Sequence, residues 1–444
     1  MSDWVRHVLW WQVYPLGATG AEREALPPDA APVPRLKELH GWLPHLVSLG
    51  CNGLALGPVF ESSTHGYDTV DHFRVDRRLG TEQELTELIE ACHEAGIRVL
   101  LDGVFNHVGR DFPQFREVLQ QGPEAPAAGW FDIDAAGSGP DGFAYRDFEG
   151  HSALVALDHG NPEVAEHVAR VMTYWCERGV DAWRLDAAYA GPPAFWREVL
   201  PRVRDAHPHV WVVGEVLHGD YAGYVTESGI DSVTQYELWK AVWSSLNDRN
   251  LFELAHALGR HGEMVRSFLP QTFVGNHDVT RLASRLADPR ALPLALALLF
   301  TLPGIPTVYY GDEFGLPGVK EDRAGGDDAV RPALPTSQDP PGAEAAALAD
   351  LHRLLIGVRR RHPWLVGATI ADPDQLSNEV LAVRLTGEGQ TLAVVLNVGD
   401  ATADVVLPFA GAGVVAGSAE LRPDGAGTAV RVPAHDFALV GSGG

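Results

Sequence analysis

The sequence predicts an α/β fold: a parallel (β/α)8 barrel with a short excursion after its third strand and a small β-domain at its C-terminal end. Three observations predict it. Short β-rich apolar runs alternate with helical patterns from Val8 to Arg361, the sign of repeated βα units. The alternation completes eight times, and 444 residues hold a barrel of about 250 residues with smaller additions. Acidic residues recur where the third, fourth, fifth and seventh strands end.

In chain order, Val8 to Leu16 is the first strand, Leu36 to Leu49 a helix and Asn52 to Phe60 the second strand. Thr81-Glu82-Gln83-Glu84 is a capping box opening a helix to Ala95, which Gly96 stops before the third strand, Ile97 to Val104. From Val108 to Gly160 the periodicity dissolves into Gly, Pro, Asp and aromatic residues, an excursion from the barrel. Asn161-Pro162-Glu163 starts a helix to Arg178, and the fourth strand lies in Gly179 to Ala188. A helix over Pro193 to Ala206, strands at Val210 to Val216 and Ser232 to Leu238, and a helical region from Trp239 to His261 come next. Thr272 to Asn276 and Pro306 to Tyr310 are the last barrel strands, separated by a helix at Ala291 to Leu302, and Ala343 to Arg361 is the closing helix. Beyond His362-Pro363 come alternating strands at Val380 to Leu385, Thr391 to Asn397, Ala403 to Leu407 and Ala429 to Val432. The expected division is 1–107 with 161–362 for the barrel, 108–160 for the insert and 363–444 for the β-domain.

Composition narrows the function. With 34 basic and 59 acidic residues the formal charge is −25, which argues against a nucleic-acid or anionic-membrane partner. Cys51, Cys92 and Cys176 lie far apart without CxxC spacing and read as reduced core residues. The longest apolar run, Ala291 to Leu302, contains Pro293 and is too short to span a bilayer. The N-terminus enters a strand-like run almost at once, with no signal-peptide pattern, so a cytoplasmic location is expected.

The chemistry lies in the acidic strand ends. Arg184 and Asp186 are two residues apart on a strand and share a face, so a guanidinium is expected to keep the Asp186 carboxylate ionised. Taken alone, that pair is a buried salt bridge. Asp186 to Glu215 is 29 residues, one βα unit; Glu215 to Asp278 is 63, two units; Asp102 to Asp186 is 84, one unit plus the excursion. Carboxyl groups converging on one barrel mouth repel one another unless they serve chemistry, and two of them suit glycoside cleavage with retention. Asp186 suits the nucleophile, Glu215 the acid/base with a raised pKa, and Asp278 the stabiliser of charge on the sugar. His107 and His277 can bond hydroxyls of that sugar and Tyr67 can stack beneath it; for each histidine a structural hydrogen bond is the plain alternative. Most tryptophans, Trp175, Trp183 and Trp196 among them, read as core.

Four ordered stretches resemble the signatures of the α-amylase superfamily: Asp102-Gly103-Val104-Phe105-Asn106-His107, Arg184-Leu185-Asp186, Gly214-Glu215-Val216 and Phe273-Val274-Gly275-Asn276-His277-Asp278. The resemblance covers the chain up to the β-domain. It implies a catalytic TIM barrel, an inserted domain and a C-terminal β-sandwich, with Asp186 as nucleophile, Glu215 as acid/base and Asp278 as transition-state stabiliser. It implies sugar contacts at Arg184, His107, His277, Tyr67 and Arg331, and a structural carboxylate at Asp102. Asn106 is an expected calcium ligand if a structural calcium is present; the chemistry itself needs no cofactor. Ile230 to Leu238 and Arg331-Pro332 are similar to members acting on maltooligosaccharides and cyclodextrins, and Ala187 is similar to members cleaving α-1,4 bonds. Where many members carry Lys-His after the nucleophile this chain has Tyr189-Ala190. The expected activity is retaining hydrolysis of α-1,4-glucosidic bonds in an α-glucan oligosaccharide. The alternatives are a glucanotransferase or disaccharide isomerase with the same triad, and a non-catalytic glucan-binding protein, which would be expected to lack a triad carboxylate. The oligomeric state stays open.

Overall fold

The computed structural model describes residues 2–323 and 325–442. Eight short strands form one parallel sheet: β1 (Trp10–Val13), β2 (Gly53–Leu56), β3 (Arg98–Gly103), β4 (Ala182–Leu185), β5 (Trp211–Gly214), β6 (Ser232–Val233), β7 (Gln271–Phe273) and β8 (Ile305–Tyr309). Their order is β6-β5-β4-β3-β2-β1-β8-β7. The sheet closes into a barrel where Thr234 bridges Gln271 in parallel register and the Gln235 N–H donates to the Gln271 carbonyl at 2.9 Å. β1 is paired on one side with β2 and on the other with β8, Trp10 lying opposite Thr307.

Apart from β8, which spans five residues as expected but begins one residue earlier, each observed barrel strand is shorter than its apolar run. The largest difference is β6, expected to reach Leu238. A helix already starts at Tyr236, where the Gln235 side chain accepts the Leu238 N–H at 3.3 Å. The expected helix over Leu36 to Leu49 is two, Leu36–Gly41 and Leu43–Leu49, because Pro44 has no N–H to continue the ladder through Trp42. The region from Trp239 is likewise two helices, Tyr236–Asp248 and Leu251–Val265, parted by Arg249 at φ 47°.

The helix Glu82–Glu94 has both halves of its capping box: Thr81 accepts the Glu84 N–H at 3.2 Å, and Glu84 accepts the Thr81 N–H at 2.9 Å. Thr81→Ala is expected to cost about 1 kcal/mol, read as a lower urea midpoint at unchanged slope.

Residues 108–160 hold more order than their composition suggests. A helix, Pro113–Gln121, and an antiparallel sheet of His107–Gly109, His151–Ala156 and Asp147–Phe148 pack onto the barrel's apolar layer through Val108, Phe115, Phe131 and Val155. A hairpin of Phe60–Ser62 and Thr69–Val75, not evident from the sequence, carries Tyr67 to the mouth. At the C-terminal end, a sheet built on Val380–Gly387, Gln390–Asn397 and Asp436–Ser442 faces a second sheet of Ala403–Leu407, Gly427–Val432 and Glu420–Asp424. Ala393, Val395, Val405, Val430 and Val440 fill the space between them, which makes this part a β-sandwich. The three cysteines are free and buried, and Trp175, Trp183 and Trp196 are core. Among the described residues no helix is long and apolar enough to cross a membrane.

Candidate active site

The parallel register places the acidic groups together. Arg184 on β4 lies opposite Asp102 on β3, so both point into the barrel, and Leu185 lies opposite Gly214, which brings Asp186 and Glu215 to neighbouring strand ends. Asp278 enters from the loop after β7. Arg184 binds all four: Nη1 reaches Asp102 Oδ1 and Oδ2 at 2.7 and 2.8 Å and Asp186 Oδ1 at 3.2 Å, while Nη2 lies 2.9 Å from Glu215 Oε1 and 3.8 Å from Asp278 Oδ2.

Arg184 is thus shared among four carboxyl groups and does not serve Asp186 alone. The shortest bonds go to Asp102. Burial pushes the Asp186 carboxyl well above the ordinary aspartate range; Arg184 pulls it back, and Glu215, Asp102 and Asp278 push it up again. Asp102 is raised for the same leading reason, burial, against Arg184 and His277. Asp278 goes the other way: burial raises it, but His277, Arg331 and Arg184 outweigh burial and hold it far below the ordinary value. The carboxyl groups around this one guanidinium repel one another, and burial strengthens that repulsion.

Glu215 is fixed from two more directions. Its Oε2 accepts the Ala187 N–H at 2.9 Å, from a residue held at φ 45°, a left-handed conformation uncommon for alanine. Its Oε1 accepts the Tyr236 hydroxyl at 3.1 Å, and that hydroxyl accepts Asn276 Nδ2 at 2.8 Å. Sequence reasoning missed Tyr236 by placing it inside the sixth strand; its position just after a barrel strand end was the available signal.

The other residues singled out from the sequence are at the same place. The Tyr67 hydroxyl donates to Asp102 Oδ2 at 3.2 Å and contacts His277 Nε2, its ring parallel to the imidazole at 5.7 Å. His277 Nε2 is 3.0 Å from Asp278 Oδ2, and Gln12 Nε2 lies 3.2 Å from its Nδ1. Burial lowers His107 to about 3, so its imidazole is neutral; its Nε2 has no hydrogen-bond partner among the described residues. Arg331 donates to Asp278 Oδ1 at 2.9 Å and to the His277 carbonyl at 3.0 Å, with its guanidinium over the Tyr14 ring.

Tyr67, His107, Asp186, Glu215, Tyr236 and Asp278 line a cavity of about 670 Å³, with Phe148, Glu149, Tyr189 and Trp239 as further walls, while Arg331 lines a neighbouring pocket and Arg184, Asp102 and His277 stand behind the wall. Asn106 directs its Nδ2 to His107 Nδ1 at 3.1 Å, and no group of three or more His, Cys, Asp or Glu side chains among the described residues is placed to hold a metal ion. A site with two pinned carboxyl groups on adjacent strand ends, a third opposite them and neutral donors around it can attack and protonate a polar, uncharged ligand bond.

The family model described as the alpha-amylase catalytic domain matches residues 35–342. The chain is 30% identical to a maltogenic alpha-amylase of Bacillus acidopullulyticus, over 92% of this chain and 72% of that protein. It is 33% identical to a cyclomaltodextrinase of a Bacillus species, over 71% of this chain and 60% of that protein. Among solved structures, the ligand-free cyclic alpha-maltosyl-(1→6)-maltose hydrolase from Arthrobacter globiformis superposes with a TM-score of 0.83 at 26% identity, covering 100% of both chains.

Proposed function

The chain belongs to the alpha-amylase family, and from that premise we propose that it hydrolyses α-1,4-glucosidic bonds of maltooligosaccharides or related α-glucans with retention of configuration. The observation that carries this is the single Arg184 guanidinium holding Asp102, Asp186, Glu215 and Asp278 at the mouth of a closed barrel.

In this reading Asp186 attacks the anomeric carbon while Glu215 protonates the leaving glycosidic oxygen. The chemistry needs a carboxylate at Asp186 and a carboxylic acid at Glu215. Positive charge develops on the sugar ring beside Asp278, which His277, Arg331 and Arg184 hold ionised. Water then enters where the leaving group was, Glu215 takes its proton, and the bond between the sugar and Asp186 breaks. Tyr236 and the Ala187 N–H hold Glu215 through both steps. Tyr67 offers a ring beneath the sugar, and His107 lines the same cavity. Asp102 keeps Arg184 and Tyr67 in place. The partner is an α-glucan, with neither nucleic acid nor membrane required; a cytoplasmic location is part of the same proposal, and cell fractionation tests it.

A chromatographic time course on maltoheptaose tests the activity, with Asp186→Asn and Glu215→Gln alongside. The expected result is shorter maltooligosaccharides released as α-anomers and lost in both variants. Longer or isomeric products in place of shorter ones would make the protein a glucanotransferase or isomerase. Glucan binding with no turnover would make it a binding protein.

A further inference from the structure

The turn after β7 carries Asn276, His277 and Asp278, and one carboxyl group outside the cavity touches both of its ends. That group is Asp312, three residues beyond β8. At the start of the turn a Cβ on Gly275 would stand 2.7 Å from Asp312 Oδ2, so the carboxyl lies against the backbone there and leaves no room for a side chain. At the far end Arg281 Nη1 donates to Asp312 Oδ1 and to the Tyr310 carbonyl, each at 2.9 Å.

Both partners are buried. The Arg281 guanidinium lies over the rings of Tyr309 and Tyr310, 4.5 and 5.1 Å from their centroids, and among the described residues Asp312 is the only carboxylate it pairs with. Arg281 Nε and Nη2 and Asp312 Oδ2 find no hydrogen-bond partner among the described residues, so the ionic attachment runs through Nη1 alone. A buried pair so incompletely bonded is a poor source of stability, and stability does not account for its place under this turn.

Backbone bonds continue the same seam. The Arg281 N–H donates to the Gly318 carbonyl at 2.9 Å and the Lys320 N–H to Thr280 Oγ1 at 3.1 Å. The segment that supplies these partners runs on to Arg331, which holds Asp278 from its other side. Asp278 is thus clasped by one stretch of chain, from Asp312 to Arg331.

We propose that Asp312, through Arg281 and the Gly275 backbone, is a positioning residue for Asp278, a reading that rests on the function proposed above. Asp312 does not line the cavity and does not meet the sugar. It sets where the Asp278 carboxylate stands when positive charge develops on the ring, and a small displacement there weakens the transition state more than it weakens binding.

The clasp is also sensitive to pH. Burial raises the Asp312 carboxyl to about 7, against the pull of Arg281 and with Glu313 adding to the rise. Glu313 itself accepts from Trp11 Nε1 at 3.3 Å and lies 2.9 Å from His45 Nε2, and His352 feels its charge. The other side chains around Asp312 are apolar, Leu282, Leu292, Leu296 and Leu348. Above that pH Asp312 holds Arg281 as an ion pair; below it the protonated carboxyl holds the turn more weakly.

The test uses the full chain with Asp312→Asn, and separately Gly275→Ala, Asp312→Ala and their double variant. The measurements are kcat and KM on maltoheptaose from pH 5.5 to 8.5, with calorimetric melting beside them. Asp312→Asn is expected to lower kcat about tenfold at pH 8 with KM within about twofold, and the gap to the parent should narrow to within about threefold at pH 5.5. Gly275→Ala is expected to lower kcat at least about fivefold, and the double variant to lose no more than the worse single one, because removing the carboxyl makes room for the new methyl group. If Asp312→Asn does not fold, the Gly275→Ala cycle decides. With an active parent, a loss equal at both pH values, a loss in KM alone, no loss, or full additivity in the double variant would overturn this inference and leave the proposed hydrolysis standing. A parent that does not turn over maltoheptaose overturns the hydrolase reading and takes this inference with it.

Discussion

Asp186→Asn is expected to lower turnover of maltooligosaccharides by at least about 10⁴-fold and, at neutral pH, to raise thermal stability. The loss follows from the chemistry: an amide in place of the attacking carboxylate forms no glycosyl-enzyme, and Arg184, Glu215 and Asp278 retain their other partners. The gain follows from the charge. The folded protein holds the Asp186 proton more tightly than the unfolded chain, whose aspartate titrates near its ordinary value of 3.8. Stability therefore falls as pH rises from that value through the folded one, and the whole penalty is present above it. Asparagine carries no such penalty, so the variant should melt higher at pH 7 and show a flatter profile above pH 4. Differential scanning calorimetry across pH, beside a product assay, reads both. A variant that is inactive and also melts lower at neutral pH would mean that Asp186 stabilises the fold as an ionised partner of Arg184.

Arg184→Met is expected to have the largest effect on stability, a loss of about 3–5 kcal/mol or failure to fold. Methionine fills part of the volume but leaves Asp102, Asp186 and Glu215 buried without their shared cation. The exposed pair Arg202–Glu198 is the contrast: at 40% and 49% side-chain exposure its loss should cost less than about 1 kcal/mol. If the deficit is charge and not shape, Asp102→Asn in the Arg184→Met background should recover part of it, because Asp102 makes the shortest bonds to the lost group. Urea unfolding of the two single variants and the double variant measures that coupling, and full additivity would show that the cluster is not the unit described.

The barrel and the catalytic carboxylates were legible in the sequence for one physical reason. A buried parallel strand is a short apolar run, and its first polar residue toward the mouth is visible where the run stops. Asp102, Asp186 and Glu215 stand at such stops. Tyr236 was hidden because its strand is two residues long and the run continues into a helix; the side chain of Gln235, not a change of composition, marks the boundary. The break at Trp42 was signalled by Pro44, but the apolar spacing on both sides is helical and masks it. The hairpin carrying Tyr67 and the strand pairs of 108–160 are two to seven residues long, too short for a period of two to stand out among Gly, Pro and Asp. The sequence shows the arginine beside Asp186 but not the three other carboxyl groups that share it, so that sharing was not legible.

The double pairing of β1 has a consequence for synthesis on the ribosome. β2 follows soon after β1, but β8, its other neighbour, contains the partner of Trp10 at Thr307. With about 300 residues between them, at about 5–20 residues per second, one edge of β1 stays open for roughly 15–60 seconds. An unpaired apolar edge is a template for another chain. The nascent protein is therefore most exposed to misassembly before its last barrel strand emerges.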